Sequence, residues 1–496
     1  MSTMTRSSVQ VSKTKAALAD TVAGYEAVNV KDAGNRSRDH YKTRMTKSRF
    51  RARQILLPIV RWETPRLAWI QEHTRSKFLD DYFALTANLG THTFFVIMLP
   101  MPFWFGFVHI ARGLVYVLAA GVLISGMMKD YFCLPRPLSP PLHRITMSGS
   151  AALEYGFPST HTTNAVSAAM MILYAAYENV DFISPLSLRL IRIGMWIYMG
   201  SIVLGRLYCG MHGFLDVVAG AVLGAFLFYL RWVLANAIDQ FITRPGPLVP
   251  FIITPIILIL VRIHPEPVDP CPCFEDGVAF AGVVLGVDLA LWHSWDAPFT
   301  VADPYPGNTP YSYAESGIVK SFARVALGIV AIFLWRSVMK KTLHTALPPL
   351  FRLIEKIGLS MPREFFLKAS EYNKVPSSIP DTTLVGAREI PSLIHNITRT
   401  RSDSVGPQSP ADMYETIAYR EERQRRKSLE IKNVTADDSE KPSDDVQELN
   451  EDELFLQIPK PRVQYDVEVI TKLVVYTGIG WIAVEGCAWA FYRLGL

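Results

Sequence analysis

The stretch Arg206 to Val233, RLYCGMHGFLDVVAGAVLGAFLFYLRWV, joins a polar end carrying Arg206, His212 and Asp216 to an apolar run. A helix needs about 20 largely apolar residues to cross the hydrocarbon core, and this run supplies them. The two ends therefore meet at a membrane boundary. His212 and Asp216 lie four apart at the start of that helix. On one helix face the carboxylate can accept a hydrogen bond from one ring nitrogen, which leaves the other nitrogen unprotonated and aimed outward. An imidazole held this way is an activated nucleophile, oriented as in a Ser-His-Asp triad but attacking directly.

Outward from that stretch the same pattern repeats. Half of the chain is apolar. The apolar residues lie in blocks near 84–106, 111–128, 163–178, 188–205, 213–233, 249–263, 278–294, 320–338 and 469–492. The expected fold is an all-α polytopic transmembrane helical bundle of about eight to nine spans. The expected organisation is a basic N-terminal tail with an interfacial amphipathic segment at 1–80 and a catalytic transmembrane core at 81–235. Additional helices follow at 236–338 with a loop at 264–276, then an amphipathic and disordered polar loop at 339–468 and a last span at 469–496. In the segment QILLPIVRWETPRLAWIQ (54–71), Arg61 and Arg66 forbid a span, so it is expected to lie on the membrane with Trp62 and Trp69 at headgroup level. Asp288 sits in an apolar block, either as a functional group or as a carboxylate paired with a neighbouring helix.

The formal net charge is only +5 and its excess lies outside the apolar blocks, which leaves no patch for nucleic acid. Five cysteines lack C-x2-C pairs and matching histidines, so neither a zinc site nor a disulfide framework is expected. The first residues have no apolar core, so targeting is assigned to the first spanning helix.

Two further stretches sit at block edges: KDYFCLPRP at Lys129–Pro137, and PSTH at Pro158–His161 within LEYGFPSTH. The first two motifs flank one loop and the third follows two more crossings, so all three reach the same membrane face. Converging cations there call for an anion, and phosphate is the one that two histidines can process. Lys129, Arg136 and Arg206 would grip its oxygens, with Ser159, Thr160 and nearby backbone amides completing the donors. His161 would protonate the leaving alkoxide and then activate water. Asp216 would orient His212, and no metal or other cofactor is called for. Singly, each cation reads as an interfacial residue; in order, at helix edges and on one face, they read as a site.

The motifs K-x6-R-P, P-S-T-H and R-x5-H-x3-D resemble those of the type 2 phosphatidic acid phosphatase superfamily, at Lys129, Arg136, Pro137, Pro158, Ser159, His161, Arg206, His212 and Asp216. Thr160 stands where most members have glycine, and Gly205 where most have serine. With EYGFPSTH and the loop HPEPVDPCPCFED, the chain resembles the sphingosine-1-phosphate phosphatase branch over roughly residues 80–350. The resemblance implies a metal-independent lipid phosphate monoesterase of the endoplasmic reticulum membrane, with a membrane lipid as substrate. It would release inorganic phosphate from sphingoid long-chain base 1-phosphates through a phosphohistidine. Alternatives are a broader lipid or sugar phosphate phosphatase, and a non-catalytic membrane transporter or scaffold. A base's ammonium calls for a carboxylate near the phosphate, and Glu154, Glu275 and Asp276 are the candidates for headgroup selectivity. Helix parity puts the Lys/Arg-rich tails on the active-site face, which the positive-inside rule would place in the cytosol. The resemblance places that face in the lumen, and long polar segments translocate largely regardless of charge.

Overall fold

The computed structural model describes residues 33–90, 92–139, 141–145, 154–269, 271–301, 305–358, 366–372 and 464–496. Its elements are α1 (Arg38–Arg44), α2 (Lys47–Thr74), α3 (Lys77–Ala87), α4 (His92–Met98), α5 (Pro100–Trp104), α6 (Val108–Phe132) and α7 (Thr160–Glu178). They continue with α8 (Pro185–Tyr208), α9 (Phe214–Ile242), α10 (Leu248–Arg262), α11 (Cys273–Ser294) and α12 (Tyr313–Lys356). After the strands β1 (Phe366–Leu367) and β2 (Gln464–Tyr465), which pair in parallel, the chain closes with α13 (Asp466–Trp481) and α14 (Cys487–Leu494). Most of the polar segment expected at 339–468 and the tail before residue 33 lie outside the described residues.

Among the described residues, five helices are long and apolar enough to cross a membrane: α6, α8, α9, α12 and the run Asp466–Leu494. A sixth is added if the pair Lys77–Gly90 and Phe94–Trp104, bent by 55°, is one span. The described residues are mostly helical, and the chain is a multi-pass membrane protein. The first span expected as one piece at 84–106 is instead divided into α3, α4 and α5: the 55° bend falls between Gly90 and Phe94, and Pro100 opens α5 as its first residue. His109, between the first two apolar blocks, and Arg112, at the start of the second, both belong to the first turns of α6. The amphipathic stretch beginning at 343 continues α12 to Lys356, through Pro348 and Pro349, rather than forming a separate surface segment.

Burial separates inner from outer helices. The apolar window of α6 is 72% buried, against 17% for α8 and 28% for α9. Leu190, Ile193, Trp196 and Leu204 of α8 and Val218, Val222 and Phe226 of α9 are exposed, and such faces suit lipid. α7 and α11 are lined with buried residues and sit inside the bundle. Asp288 on α11 accepts from the hydroxyl of Tyr116 on α6, so it is the paired carboxylate of the two readings.

The segment 33–74 departs most from expectation. In α2 the exposed residues include Ile55, Trp62 and Trp69, while Arg53, Glu63, Thr64 and Gln71 are buried. The helix is amphipathic with its polar face turned inward, and that face reaches the loops between the spans. Gln71 donates to the carbonyls of His143 (2.7 Å) and Tyr208 (2.9 Å), and Arg53 to those of Cys133 (3.3 Å) and Gly34 (2.6 Å). The 1–80 segment is therefore, from residue 33 onward, part of the folded catalytic face.

Candidate active site

Each of the three motifs sits where a helix starts or stops. α6 carries Lys129 in its last turn and ends through Cys133, whose backbone is left-handed at φ 51° and whose amide closes on the Lys129 carbonyl at 2.9 Å. Pro135 and Pro137 keep the chain from resuming a helix there. α7 starts at Thr160 with Ser159 as its N-cap, the Ser159 hydroxyl accepting from the amide and the hydroxyl of Thr162 (3.4 and 3.0 Å). α8 carries Arg206 in its last turn, and the Arg206 carbonyl accepts the amides of Met211 and His212 at 3.2 Å each. α9 then starts at Phe214, and Asp216 caps its first turn by accepting from the Gly213 amide at 2.9 Å.

Close backbone approach brings these ends together. The Ser159 amide donates to the Asp216 carbonyl at 3.0 Å. A Cβ at Gly220 would fall 2.6 Å from the Ser159 carbonyl oxygen, so only glycine lets α9 pack this tightly on the start of α7. Gly156 does the same for EYGF: its amide donates to the Leu134 carbonyl at 2.9 Å, and a Cβ there would fall 2.8 Å from the Pro135 oxygen. That contact lays Glu154 over Arg136.

Arg136 is the hub. Its Nη1 donates to the Met211 carbonyl (2.8 Å) and to His212 Nε2 (3.1 Å), its Nε to the Glu154 carbonyl (3.2 Å), and its Nη2 to Glu154 Oε2 (2.8 Å). Lys129 Nζ reaches the same Glu154 oxygen at 3.3 Å. Arg206 is buried and within electrostatic reach of Arg136 and Glu154. His161, in the first turn of α7, is close enough for its charge to act on His212.

A guanidinium N–H can only donate, so His212 Nε2 must accept and carries the lone pair, with the proton on Nδ1. Nδ1 faces Asp216 Oδ2 at 3.6 Å, slightly beyond hydrogen-bond length. Burial, reinforced by the charges of Arg136, Lys129, Arg206 and His161, holds the imidazole pKa well below its ordinary value. His212 is thus a neutral base whose lone pair points among cations.

Of the remaining candidates, Thr160 shares a 2.7 Å hydrogen bond with Ser125 of α6, and the Ser159 hydroxyl is engaged in capping. Their direct service to an anion rests on the first-turn amides, which a helix N-terminus leaves without intrahelical partners. Glu275 and Asp276 are not in a loop but in the first turn of α11, both buried. Glu275 is bound by Lys472 at 2.7 Å.

Three contributors take partners that the sequence does not reveal. Glu63 accepts the Leu215 amide at 2.9 Å and so caps the helix that follows His212; burial raises its pKa, and the amides of Leu215 and Phe214 oppose the rise. Asp269, in the 264–276 loop, accepts from the Gly34 amide (3.0 Å) and the hydroxyls of Tyr41 (2.6 Å) and Tyr155 (3.2 Å), tying the N-terminal segment to the residue beside Glu154. Cys271 and Cys273 are paired through their sulfurs, where the cysteine spacing predicts no disulfide. Asp130 turns to His264 at 2.8 Å.

Helices of a membrane bundle thus end in a buried cationic cup around a neutral histidine, which is the class of site that handles phosphate esters. Residues 110–239 match the model of the PAP2 superfamily. A dihydrosphingosine 1-phosphate phosphatase of Schizosaccharomyces pombe is 40% identical over 304 residues, 61% of this chain and 72% of the relative. One of Saccharomyces cerevisiae is 36% identical, covering 65% and 78%, and the human sphingosine-1-phosphate phosphatase 2 is 26% identical, covering 58% and 72%. No solved structure matches the chain. The chain belongs to the PAP2 superfamily, in its sphingosine-1-phosphate phosphatase branch.

Proposed function

We propose that this protein hydrolyses long-chain base 1-phosphates to free sphingoid base and inorganic phosphate, through a phosphohistidine and without a metal ion. The observation that carries the reading is the Arg136 contact to His212 Nε2, which makes the imidazole an acceptor at the point where the cations converge. A phosphate gripped by Lys129, Arg136 and Arg206 presents its phosphorus to that lone pair. The P–O bond to the base breaks as the Nε2–P bond forms, and His161 gives its proton to the leaving oxygen. Water then loses a proton to His161 as it attacks phosphorus, the P–N bond breaks, and phosphate leaves. Asp216 faces the Nδ1 proton and stabilises the ring as it turns positive. Three fixed side-chain cations supply the charge that a metal would otherwise supply.

The apolar exposed faces of α8 and α9 support a substrate whose chain stays in the bilayer while its headgroup reaches the cup. If the broken pair α3–α5 and the helices α7, α10 and α11 all cross, the spans number nine, matching the upper expectation. The site then opens on the lumenal face of the endoplasmic reticulum, and a glycan acquired at Asn396, outside the described residues, is the expected mark of it. A phosphate on Ser428 instead would place that face in the cytosol.

The deciding experiment is phosphate release from dihydrosphingosine 1-phosphate in excess chelator by the wild type and by His212→Ala at equal protein level. The wild type is expected to turn over and the variant to be inactive. Residual activity above about a tenth of wild type, a barrier change of only about 1.4 kcal/mol, removes His212 from the nucleophile role. Loss of wild-type turnover that magnesium restores refutes the cation-only cup.

A further inference from the structure

We propose that Glu154 is the specificity residue of the site: it competes with the phosphate for Lys129 and Arg136, and once displaced it pairs with the ammonium of the substrate. The inference rests on the reading of the site as a long-chain base phosphatase. One carboxylate oxygen, Glu154 Oε2, meets both Lys129 Nζ (3.3 Å) and Arg136 Nη2 (2.8 Å). A phosphate placed for attack by His212 must draw on the same two cations, because Arg136 also touches His212 Nε2. The two anions cannot share them.

The other carboxylates near the cup are committed elsewhere. Asp216 caps α9 behind His212, Glu63 holds the Leu215 amide, Glu275 is bound by Lys472, and Asp269 is ringed by Tyr41, Tyr155 and the Gly34 amide. Glu154 differs from them in exposure, its side chain being 25% accessible where those of Glu275 and Asp216 are 5% and 1%. It has room to turn. Its backbone stays fixed meanwhile, since its carbonyl accepts from Arg136 Nε at 3.2 Å and the next residue, Tyr155, is tied to Asp269.

In a long-chain base 1-phosphate the amine sits on the carbon next to the phosphorylated carbon. When the phosphate takes the cations, an ammonium therefore arrives within reach of the displaced carboxylate, which exchanges one set of positive partners for another. A lipid phosphate without that ammonium leaves the carboxylate uncompensated beside the phosphate's own negative charge, and this repulsion selects against it.

The test uses the full-length protein carrying Glu154→Gln or Glu154→Asp. The readouts are the kcat/KM ratio for dihydrosphingosine 1-phosphate over its N-acylated counterpart, ceramide 1-phosphate, and the inhibition constant for vanadate. In Glu154→Gln the ratio is expected to fall by at least about tenfold, and vanadate to bind several-fold more tightly because its competitor has lost its charge. Glu154→Asp, which keeps the charge, is expected to retain the preference. A ratio within about twofold of wild type overturns the proposal. So does weaker vanadate binding, since that sign means Glu154 merely positions Arg136. If the wild type itself releases no phosphate from dihydrosphingosine 1-phosphate, it is the proposed function that fails, and the two failures are told apart in one assay.

Discussion

Replacing Asp216 by asparagine removes one charge and almost no volume at the centre of the site. The asparagine carbonyl can still accept from the Gly213 amide, now at 2.9 Å from Asp216 Oδ2, so the cap of α9 survives. The same oxygen faces His212 Nδ1 at 3.6 Å, so an asparagine carbonyl in its place keeps the proton on Nδ1 and leaves the Nε2 lone pair where the Arg136 N–H points at 3.1 Å. What is lost is the negative charge beside a ring that turns positive as Nε2 attacks phosphorus. A hydrogen bond to a charged group contributes about 1.5–3 kcal/mol, against about 0.5–1.5 kcal/mol for a neutral pair. The difference, about 1–2 kcal/mol, corresponds to a fall in rate of about 5–30-fold. Stability should change by less than about 1 kcal/mol because the cap is kept. The assay is phosphate release in detergent micelles beside the thermal unfolding midpoint of the same preparations. Asp216→Asn activity within about twofold of wild type, with an unchanged midpoint, would refute the charge argument.

Two further outcomes are expected. His161→Ala should slow release from dihydrosphingosine 1-phosphate far more than from an aryl phosphate, whose leaving group scarcely needs a proton; equal loss on both, measured as kcat, would deny His161 the leaving-group role. Asp269→Ala should destabilise the protein by about 3–5 kcal/mol and lower activity, because it strands the Gly34 amide and the hydroxyls of Tyr41 and Tyr155; an unchanged unfolding midpoint would mean that the N-terminal segment is not held there.

The parts of the site legible in the amino-acid order are those that one helix turn or one bilayer thickness determines. His212 and Asp216 share a face because they are four apart at a helix start, and Lys129, Ser159 and Arg206 stand at helix ends because apolar runs stop beside them. The junction of α4 and α5 was also written locally, in Pro100, but an apolar count over 84–106 averages it away. Only the tertiary structure decided which charge meets which. Glu154 and Glu275 looked alike as candidates, yet one lies against Lys129 and Arg136 while the other is bound by a lysine 197 residues away. The inward polar face of α2 was invisible for the same reason: Glu63 looks like a solvated charge until the Leu215 amide, 152 residues on, is placed against it. Periodicity reports which face of a helix is apolar, and bilayer thickness reports how long it must be. The partner of a buried polar group is fixed by neither, because it depends on the packing of distant segments and on the cost of leaving that group unpaired.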